Sequence, residues 1–268
     1  MNANEQILTH ILKCRRQDLY TQPKKLNPDQ QKLYDDLLGR FNNGEPLQYI
    51  LGSCDFMGTN LLVNPAVLIP RPETEIMVES AVEYLNSLQN QNITVLDLGT
   101  GSGNIAITLA KLCPRLKIFS VDRSADALSV ALKNIQLNGV SKMVELINSD
   151  MQEFLLSAWQ HKRFFDMIIS NPPYIPTGHM ASLPHDVQQE PALALNGGID
   201  GLDFYRIIVD GSQKILRPGG RLIMELGDGQ FNDVAQIIKN IKCFSEPQSI
   251  LDYTGVKRIV YTDYKNRM

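Results

Sequence analysis

Residues 93–263 alternate between short apolar runs and amphipathic stretches, and this alternation restricts the possible folds more than any other feature of the chain. The runs typical of strands are 93–98, 117–121, 143–148, 165–170, 220–226, 242–247 and 256–261. The stretches with helical spacing are 103–112, 124–137, 151–158, 201–216 and 230–240. This order predicts an α/β protein with a mostly parallel sheet covered on both faces. Only a loop through residues 249–252 separates the last two strands, so we expect an antiparallel end to the sheet.

Residues 1–45 predict a small helical domain. Apolar residues recur at helical spacing in 5–20, Asn27 or Asp29 can cap a second helix, and a third short element is predicted over 40–43. A piece of this size is too thin for an independent core, so we expect it to lean on the rest of the chain. Its basic residues form either a solvated face or a docking surface for an acidic or RNA-bound partner. They are Lys13, Arg15, Arg16, Lys24 and Lys25.

Residues 46–70 predict a hairpin linker to the main domain, which we place at residues 71–268. Residues 48–52 and 55–63 have the composition of two short strands, with glycine and asparagine turns between and within them. The pattern therefore indicates a two-stranded connection rather than a flexible tether.

Arg71 lies between two prolines, which hold it extended and display its side chain. A helix that begins at Glu73 or Thr74 and runs to Leu88 follows directly. A surface ion pair of Arg71 with Glu73 or Glu75 is the purely structural interpretation of this segment.

The strand at 93–98 runs into a glycine-rich loop and then into a helix. The loop residues are Gly99, Thr100, Gly101, Ser102 and Gly103. Glycines allow a tight turn and let a ligand approach the backbone without meeting Cβ atoms. The spacing G-x-G-x-G is shorter than the usual dinucleotide pattern, which indicates a ligand without a pyrophosphate. Asp97, just before the loop, can reach the ammonium end of an amino-acid moiety, directly or through water.

Asp122 and Asp150 follow the next two predicted strands. An acid at the position of Asp122 can accept both hydroxyls of a ribose, or it can cap the helix that begins near Ser124. Asp150 can accept from an adenine amino group with Met151 flanking the ring, or it can be only a helix cap. The carboxyl ends of parallel strands meet at one edge of a sheet, so these acids and the glycine loop describe an adenosine-type site. Because Asp97 adds a partner for an ammonium group, the combination points to S-adenosylmethionine as the cofactor.

The motif Asn171-Pro172-Pro173-Tyr174 follows a buried strand. Two prolines fix an extended turn on which the Asn171 side-chain oxygen and the Pro172 carbonyl are adjacent acceptors. Two acceptors on a rigid turn suit a planar –NH2 group, and Tyr174 adds a flat wall beside them. A proline-rich turn with asparagine as the turn former is the structural alternative. The long loop 175–199 that follows is interpreted as a lid or a substrate wall.

The composition narrows the class of partner. The net charge is −3, from 26 Lys and Arg against 29 Asp and Glu, so no polycationic surface for tight nucleic-acid binding is indicated. The four cysteines form no C-x-x-C pair, which favours a reducing compartment and argues against a zinc site, so no metal is expected. The N-terminus lacks an apolar signal core, and no stretch approaches the ~20 apolar residues of a membrane span. We therefore expect a cytoplasmic protein with no membrane partner.

Together, these motifs resemble the HemK/PrmC family of protein-glutamine N5-methyltransferases, which modify peptide chain release factors. The similarity extends over nearly the whole chain from residue 46 onward. The segments that carry it are 46–52, 68–75, 97–103, 170–175, 190–191, 197–202 and 218–220. The Pro-Arg-Pro-Glu-Thr-Glu stretch within 68–75 is the most specific of them, since the glycine loop is shared with most methyltransferases of this kind.

The resemblance implies a seven-stranded, Rossmann-like class I methyltransferase sheet, joined by a β-hairpin to a helical N-terminal domain that docks the substrate. It implies methyl transfer from S-adenosylmethionine to the glutamine of the Gly-Gly-Gln motif in class I release factors, with no direct need for nucleic acid. Asn171, Pro172 and Tyr174 are then catalytic, Pro173 joins them in binding substrate, and Asn171 also faces the cofactor.

Three other functions stay open from the residues alone. Two use the same chemistry, on a glutamine of a ribosomal protein or on N6 of adenine in nucleic acid, and the third is a non-catalytic nucleotide-binding module. The chain departs from the family in a shorter helical N-terminal part and in Met151, where the family often has tryptophan.

Overall fold

The computed structural model describes residues 2–21 and 25–265. The N-terminal helices are α1 Ala3–Leu12, α2 Asp18–Thr21, α3 Pro28–Asn42 and α4 Leu47–Leu51. Asn2 and Asn27 start α1 and α3 with capping boxes, in which the asparagine side chain accepts from a backbone N–H one turn later. A small apolar cluster joins α1, α3 and α4. Lys24 of the predicted basic cluster lies outside the described residues, as do the first residue of the predicted helical domain and the last three residues of the predicted main domain.

Two predictions in this region are wrong. Residues 40–43 form no separate element, because α3 continues through most of them. Residues 48–52 lie in the helix α4 and its cap instead of a strand, and Gly52, with a φ of 73°, ends that helix. The adjacent side chains of Tyr49 and Ile50 are both buried, whereas a strand with one solvent face would expose one of them.

A β-hairpin follows, with β1 Ser53–Phe56 antiparallel to β2 Thr59–Leu62. Its turn residues Met57 and Gly58 have positive φ values of 49° and 71°, which match the twist of the paired strands. The backbone N–H of Leu62 donates to Asn134 Oδ1 at 2.7 Å, and Asn134 Nδ2 donates to the Leu62 carbonyl at 2.9 Å. A hairpin is therefore present within residues 46–70 as predicted, but its strands differ from the predicted ones, since its turn interrupts the run 55–63. Two hydrogen bonds attach it to a helix of the main domain.

Seven strands form the main sheet in the order β5-β4-β3-β6-β7-β9-β8. They are β3 Ile93–Leu98, β4 Leu116–Asp122, β5 Val144–Asn148, β6 Phe165–Ser170, β7 Leu216–Glu225, β8 Gln248–Leu251 and β9 Lys257–Asp263. The helices are α5 Pro72–Ser87, α6 Asn104–Leu112, α7 Ala125–Leu137, α8 Met151–Gln160, α9 His185–Gln188, α10 Ala192–Leu195, α11 Asp203–Ile215 and α12 Phe231–Lys239. Strands β3 to β7 are parallel, and β9 is antiparallel to both β7 and β8. The predicted fold class and the antiparallel end of the sheet are confirmed.

The strand predicted at 242–247 and the loop predicted at 249–252 are both wrong, because the edge strand β8 begins at Gln248. Pro247 has no N–H to give to the ladder, and β8 begins directly after it. Phe244 is nevertheless buried, with 6% of its surface exposed. The segment that suggested a strand is thus irregular and is anchored in the core by Phe244.

The helices cover both faces of the sheet. Helices α5, α6 and α7 contribute to one apolar layer, and α8, α11 and α12 contribute to the other. Strand β3 has β4 on one side and β6 on the other, so the direction of the connections reverses beside β3. Open α/β sheets bind ligands in the crevice at such a point, outside the carboxyl ends of the strands. Within the described residues, no helix is both long and apolar enough to cross a membrane.

Candidate functional site

Four parts of the chain provide most of the lining of a cleft at this crevice. The segment before α5 and its first turn provide Ala66, Val67, Leu68, Pro70, Arg71 and Thr74, and the glycine loop provides Gly99, Thr100, Gly101 and Ser102. The strand ends provide Asp122, Asp150, Met151, Asn171 and Pro173, and the loop after β6 provides Pro191, Leu193 and Ala194. The structure therefore brings most of the predicted site residues together. Asp97, Gly103, Pro172 and Tyr174 do not line the cleft.

Asp97 is fully buried behind the glycine loop. Its Oδ2 is 3.5 Å from the Ser120 hydroxyl, and its Oδ1 has no hydrogen-bond donor in the described part of the chain. Burial removes water from the carboxyl group and raises its pKa to about 7. The hydroxyls of Thr100 and Ser102 in the loop are also buried without partners. A buried carboxylate with a free acceptor fits a ligand that brings an ammonium group, which is the expectation for the amino-acid end of S-adenosylmethionine.

Asp122 ties the end of β4 to the glycine loop. Its Oδ2 accepts from the Gly101 N–H at 2.9 Å, and its Oδ1 accepts from the Ser124 N–H at 2.9 Å. It is not the N-cap of α7, because Ser124 takes that position and accepts from the Ala127 N–H. Burial raises the pKa of the Asp122 carboxyl, while these backbone donors lower it. Each carboxylate oxygen keeps a further lone pair, so the prediction that Asp122 holds the ribose hydroxyls is compatible with the geometry.

Asp150 is the N-cap of α8 and accepts from the Gln152 N–H at 2.8 Å. The structural alternative is thus realised, and the carboxyl group also lines the cleft. Met151 packs on the glycine loop, since an added Cβ on Gly99 would lie 2.9 Å from the Met151 methyl carbon. A side chain at Gly99 would be strained by its φ of 75° and would displace the end of the Met151 side chain. The assignment of both residues to an adenine ring stays a prediction.

Asn171 extends from the end of β6 into the cleft lining. Its Nδ2 donates to the Thr74 hydroxyl at 3.2 Å. Among the described residues, no donor is bonded to Asn171 Oδ1 or to the Pro172 carbonyl. Tyr174 points away from the lining, with its hydroxyl 3.5 Å from Glu225 Oε1. The structure thus shows both predicted acceptors unbonded, whereas the Tyr174 ring packs against the core of the main domain rather than beside them.

Sequence reasoning missed a buried carboxyl beside this motif. Glu225 ends β7, has 2% of its surface exposed, and accepts from the Thr74 hydroxyl at 2.5 Å. The signal that could have found it is an acid inside the apolar run 222–226 at the end of a buried strand. Such a residue needs a buried partner, because a charge is costly to bury alone.

The structural alternative for Arg71, a surface ion pair with Glu73 or Glu75, is not realised. Arg71 pairs instead with Glu190, which is 5% exposed and also accepts from the Ile69 N–H at 3.0 Å. Burial raises the pKa of the Glu190 carboxyl, and the Arg71 guanidinium opposes that effect. Because Glu190 lies in the loop after the Asn-Pro-Pro-Tyr motif, the pair joins that loop to the proline segment across the cleft.

Cofactor affinity is expected to depend on pH through Asp97. An ammonium group binds the ionised carboxyl, so the affinity for S-adenosylmethionine should fall as pH drops through about 7. Below that pKa, the dissociation constant should rise about tenfold for each pH unit. Calorimetry across the range measures this, and Asp97→Asn, which cannot titrate, should bind weakly at every pH. A wild-type affinity that does not change with pH would contradict the role of Asp97.

Asp122→Ala is expected to weaken cofactor binding. A hydrogen bond to a charged group contributes ~1.5–3 kcal/mol, which corresponds to roughly tenfold to 150-fold in affinity. Asp126→Ala is a matched control, because Asp126 is an exposed acid in the first turn of α7. Unchanged affinity of Asp122→Ala would restrict Asp122 to holding the glycine loop.

Comparison with known proteins gives a consistent result. A family profile described as a methyltransferase domain matches residues 89–256, and one described as the PrmC N-terminal domain matches residues 2–52. The release factor glutamine methyltransferase of Moorella thermoacetica is 40% identical over 245 residues, which cover 89% of this chain and 84% of that protein. The enzyme of that name from Geobacter sulfurreducens is 39% identical over 258 residues, 96% of this chain and 87% of that protein. The structure of a SAM-dependent methyltransferase from Agrobacterium tumefaciens has a TM-score of 0.55 at 15% identity, over 80% of this chain and 70% of that chain, which shows a shared fold.

The sheet order, the glycine loop and the matched domain define an S-adenosylmethionine-dependent methyltransferase. The orphaned acceptor of Asp97 and the open approach to Gly101, where an added Cβ would meet nothing within 4 Å, fit that cofactor. Within this class, the chain belongs to the family of release factor glutamine methyltransferases. The resemblance seen in the sequence motifs is thereby confirmed.

Proposed function

We propose that this protein transfers the methyl group of S-adenosylmethionine to the side-chain amide nitrogen, N5, of the glutamine in the Gly-Gly-Gln motif of class I peptide chain release factors. The names of its relatives support the substrate class. The observation that carries the chemistry is the side chain of Asn171, whose nitrogen is held by Thr74 and whose oxygen is unbonded at the cleft.

An amide nitrogen is a poor nucleophile because its lone pair is delocalised into the carbonyl group. Asn171 Oδ1 and the Pro172 carbonyl accept the two amide hydrogens of the substrate and so direct the nitrogen lone pair toward the cofactor side of the cleft. The cofactor supplies an activated methyl group when bound, so orientation is the main contribution of the protein. Positioning of this kind can supply up to about 7–11 kcal/mol in ideal cases.

Residues in the cleft and directly behind its glycine loop would hold the cofactor at three points. Asp97 would pair with its ammonium group, Asp122 with its ribose, and Asp150 with Met151 would meet the adenine. Glycine loop residues Gly99 to Gly103 would provide close backbone contact. These roles agree with the edge of the sheet at which every one of these side chains is found.

The helical domain at residues 1–45 and the hairpin would dock the body of the release factor. Nucleic acid is not required for this interaction, since the recognised group is a protein side chain. We assign the protein to the cytoplasm, in keeping with four cysteines that are all free.

Incubation of purified release factor with methyl-labelled S-adenosylmethionine tests this function. Mass spectrometry should locate one methyl group on the glutamine of the Gly-Gly-Gln motif. A methyl group found on any other residue of the release factor would contradict the proposal.

A further inference from the structure

Glu225 is a buried carboxyl that connects three elements of the candidate site. Its Oε2 accepts from the Thr74 hydroxyl at 2.5 Å, and its Oε1 lies 3.5 Å from the Tyr174 hydroxyl. Asn171 Nδ2 donates in turn to Thr74 Oγ1 at 3.2 Å. Thr74 and Glu225 are 1% and 2% exposed, so water does not compete for these bonds.

The direction of these hydrogen bonds follows from the ionised carboxylate, which can only accept. Thr74 has one hydroxyl hydrogen, which it donates in the hydrogen bond to Glu225. The remaining lone pairs of the Thr74 oxygen therefore face a donor, and the donor present is Asn171 Nδ2. An amide whose nitrogen is held there must turn its oxygen to the other side.

We propose that Glu225 is a positioning residue that, through Thr74, fixes the Asn171 amide with its oxygen toward the substrate. The proposal rests on the proposed function, because it assigns a cause to the orientation that methyl transfer needs. With the Asn171 amide reversed, its –NH2 would face the –NH2 of the substrate. Two donors would then oppose each other where two acceptors are required.

Protonation of Glu225 should release this orientation. A protonated carboxyl can donate to Thr74, whose hydrogen is then free to bond the Asn171 oxygen. Burial is the main reason that the pKa of the Glu225 carboxyl is raised to about 7, and the nearby Glu73 adds to this rise. The hydrogen bond from Thr74, the charge of Arg258 and the Asn171 amide act in the opposite direction and lower the pKa. The hydroxyls of Tyr174 and Tyr205 complete its surroundings, the latter donating to the Glu225 carbonyl at 2.9 Å. The chemical step should therefore slow as pH falls through about 7.

Glu225→Gln is the variant that tests this role, because it keeps the shape of the side chain and removes both its charge and its titration. We would measure single-turnover methyl transfer to release factor at saturating cofactor, from well below to well above the pKa of Glu225. The wild-type rate constant should fall about tenfold for each pH unit below that pKa. The rate constant of Glu225→Gln should be lower by on the order of 10–10²-fold at high pH, and it should not fall further as the pH drops below the pKa of Glu225. Saturation with cofactor keeps the titration of Asp97 out of this profile.

A second pair of variants leaves the carboxyl in place. Thr74→Val removes the hydroxyl that connects Glu225 to Asn171 and should lose a similar part of the rate. Thr74→Ser restores a hydroxyl and should recover most of what Thr74→Val loses. Circular dichroism confirms that each variant is folded.

The outcomes are distinguishable. If wild type labels release factor and Glu225→Gln shows the wild-type rate and pH profile, the positioning role is overturned while the proposed function stands. A slower Glu225→Gln that keeps the wild-type acid limb would also overturn it, since that is the result for structural support alone. If wild type does not label release factor at any pH, the proposed function fails and this inference fails with it.

Discussion

Asn171→Ala is expected to lower the single-turnover rate of methyl transfer by on the order of 10²–10³ while leaving the fold intact. The alanine removes the acceptor that directs the lone pair of the substrate nitrogen. No other side chain in the cleft lining is hydrogen-bonded to Thr74 while it also presents an unbonded oxygen. The rate is measured at saturating cofactor with labelled methyl groups, so that a change in cofactor affinity does not contribute.

Asn90→Ala is the matched control for this experiment. Asn90 is an exposed asparagine that precedes β3 at the amino end of the sheet, opposite the cleft. Its loss should leave the rate within about twofold of wild type, as for most surface substitutions. A near-wild-type rate for Asn171→Ala would mean that the two-acceptor mechanism is wrong.

Gly197→Ala is expected to be a strongly damaging small substitution outside the cleft lining. An added Cβ would lie 2.7 Å from the Tyr174 Cα and 2.8 Å from the Pro173 carbonyl oxygen. These are backbone atoms of the Asn-Pro-Pro-Tyr motif, and the Gly197 N–H also donates to the neighbouring Ile175 carbonyl at 2.8 Å. The motif must therefore move, and a displacement near 1 Å at a reacting centre costs on the order of 10²-fold in rate.

Gly178→Ala in the same loop separates this clash from a general effect of replacing glycine. An added Cβ on Gly178 would meet nothing within 4 Å, so the rate should stay close to wild type. Both variants are compared by single-turnover rate and by thermal unfolding. Equal rates for the two alanine variants would show that the segment at 197 does not hold the motif in place.

The parts of the fold that the sequence predicts well are those whose signal is local. The runs at β3 and β6 are mostly apolar because both faces of a parallel sheet are covered, and glycine or proline follows close after their ends. The glycine loop and the strand-end acids then had to meet, since the carboxyl ends of parallel strands lie at one edge. Most of the cleft follows from this one geometric fact.

The wrong predictions share a different cause. Residues 48–52 have strand composition, but a glycine that ends the turn and burial of neighbouring side chains favour a helix. In the run 242–247, Phe244 is buried in the core, yet Pro247 cannot join a ladder. In both places tertiary contacts outweighed local propensity.

The network around Glu225 and the pairing of Arg71 could not be predicted from any local pattern. Thr74 and Glu225 are 151 residues apart in sequence, and Arg71 and Glu190 are 119 apart. Nothing near Arg71 in the chain favours Glu190 over Glu73 or Glu75, which are closer and equally acidic. Only the folded topology, which brings the end of β7 and the loop after β6 to the start of α5, selects these partners.

The most direct test of the central claim compares possible methyl acceptors in parallel with radiolabelled S-adenosylmethionine. The panel contains purified class I release factor, its variant with the Gly-Gly-Gln glutamine replaced by alanine, ribosomal proteins and DNA. We expect label on the wild-type release factor and only background on the other three. Label on the alanine variant at the wild-type level, or on ribosomal protein or DNA alone, would contradict the assignment of release factor glutamine as the substrate.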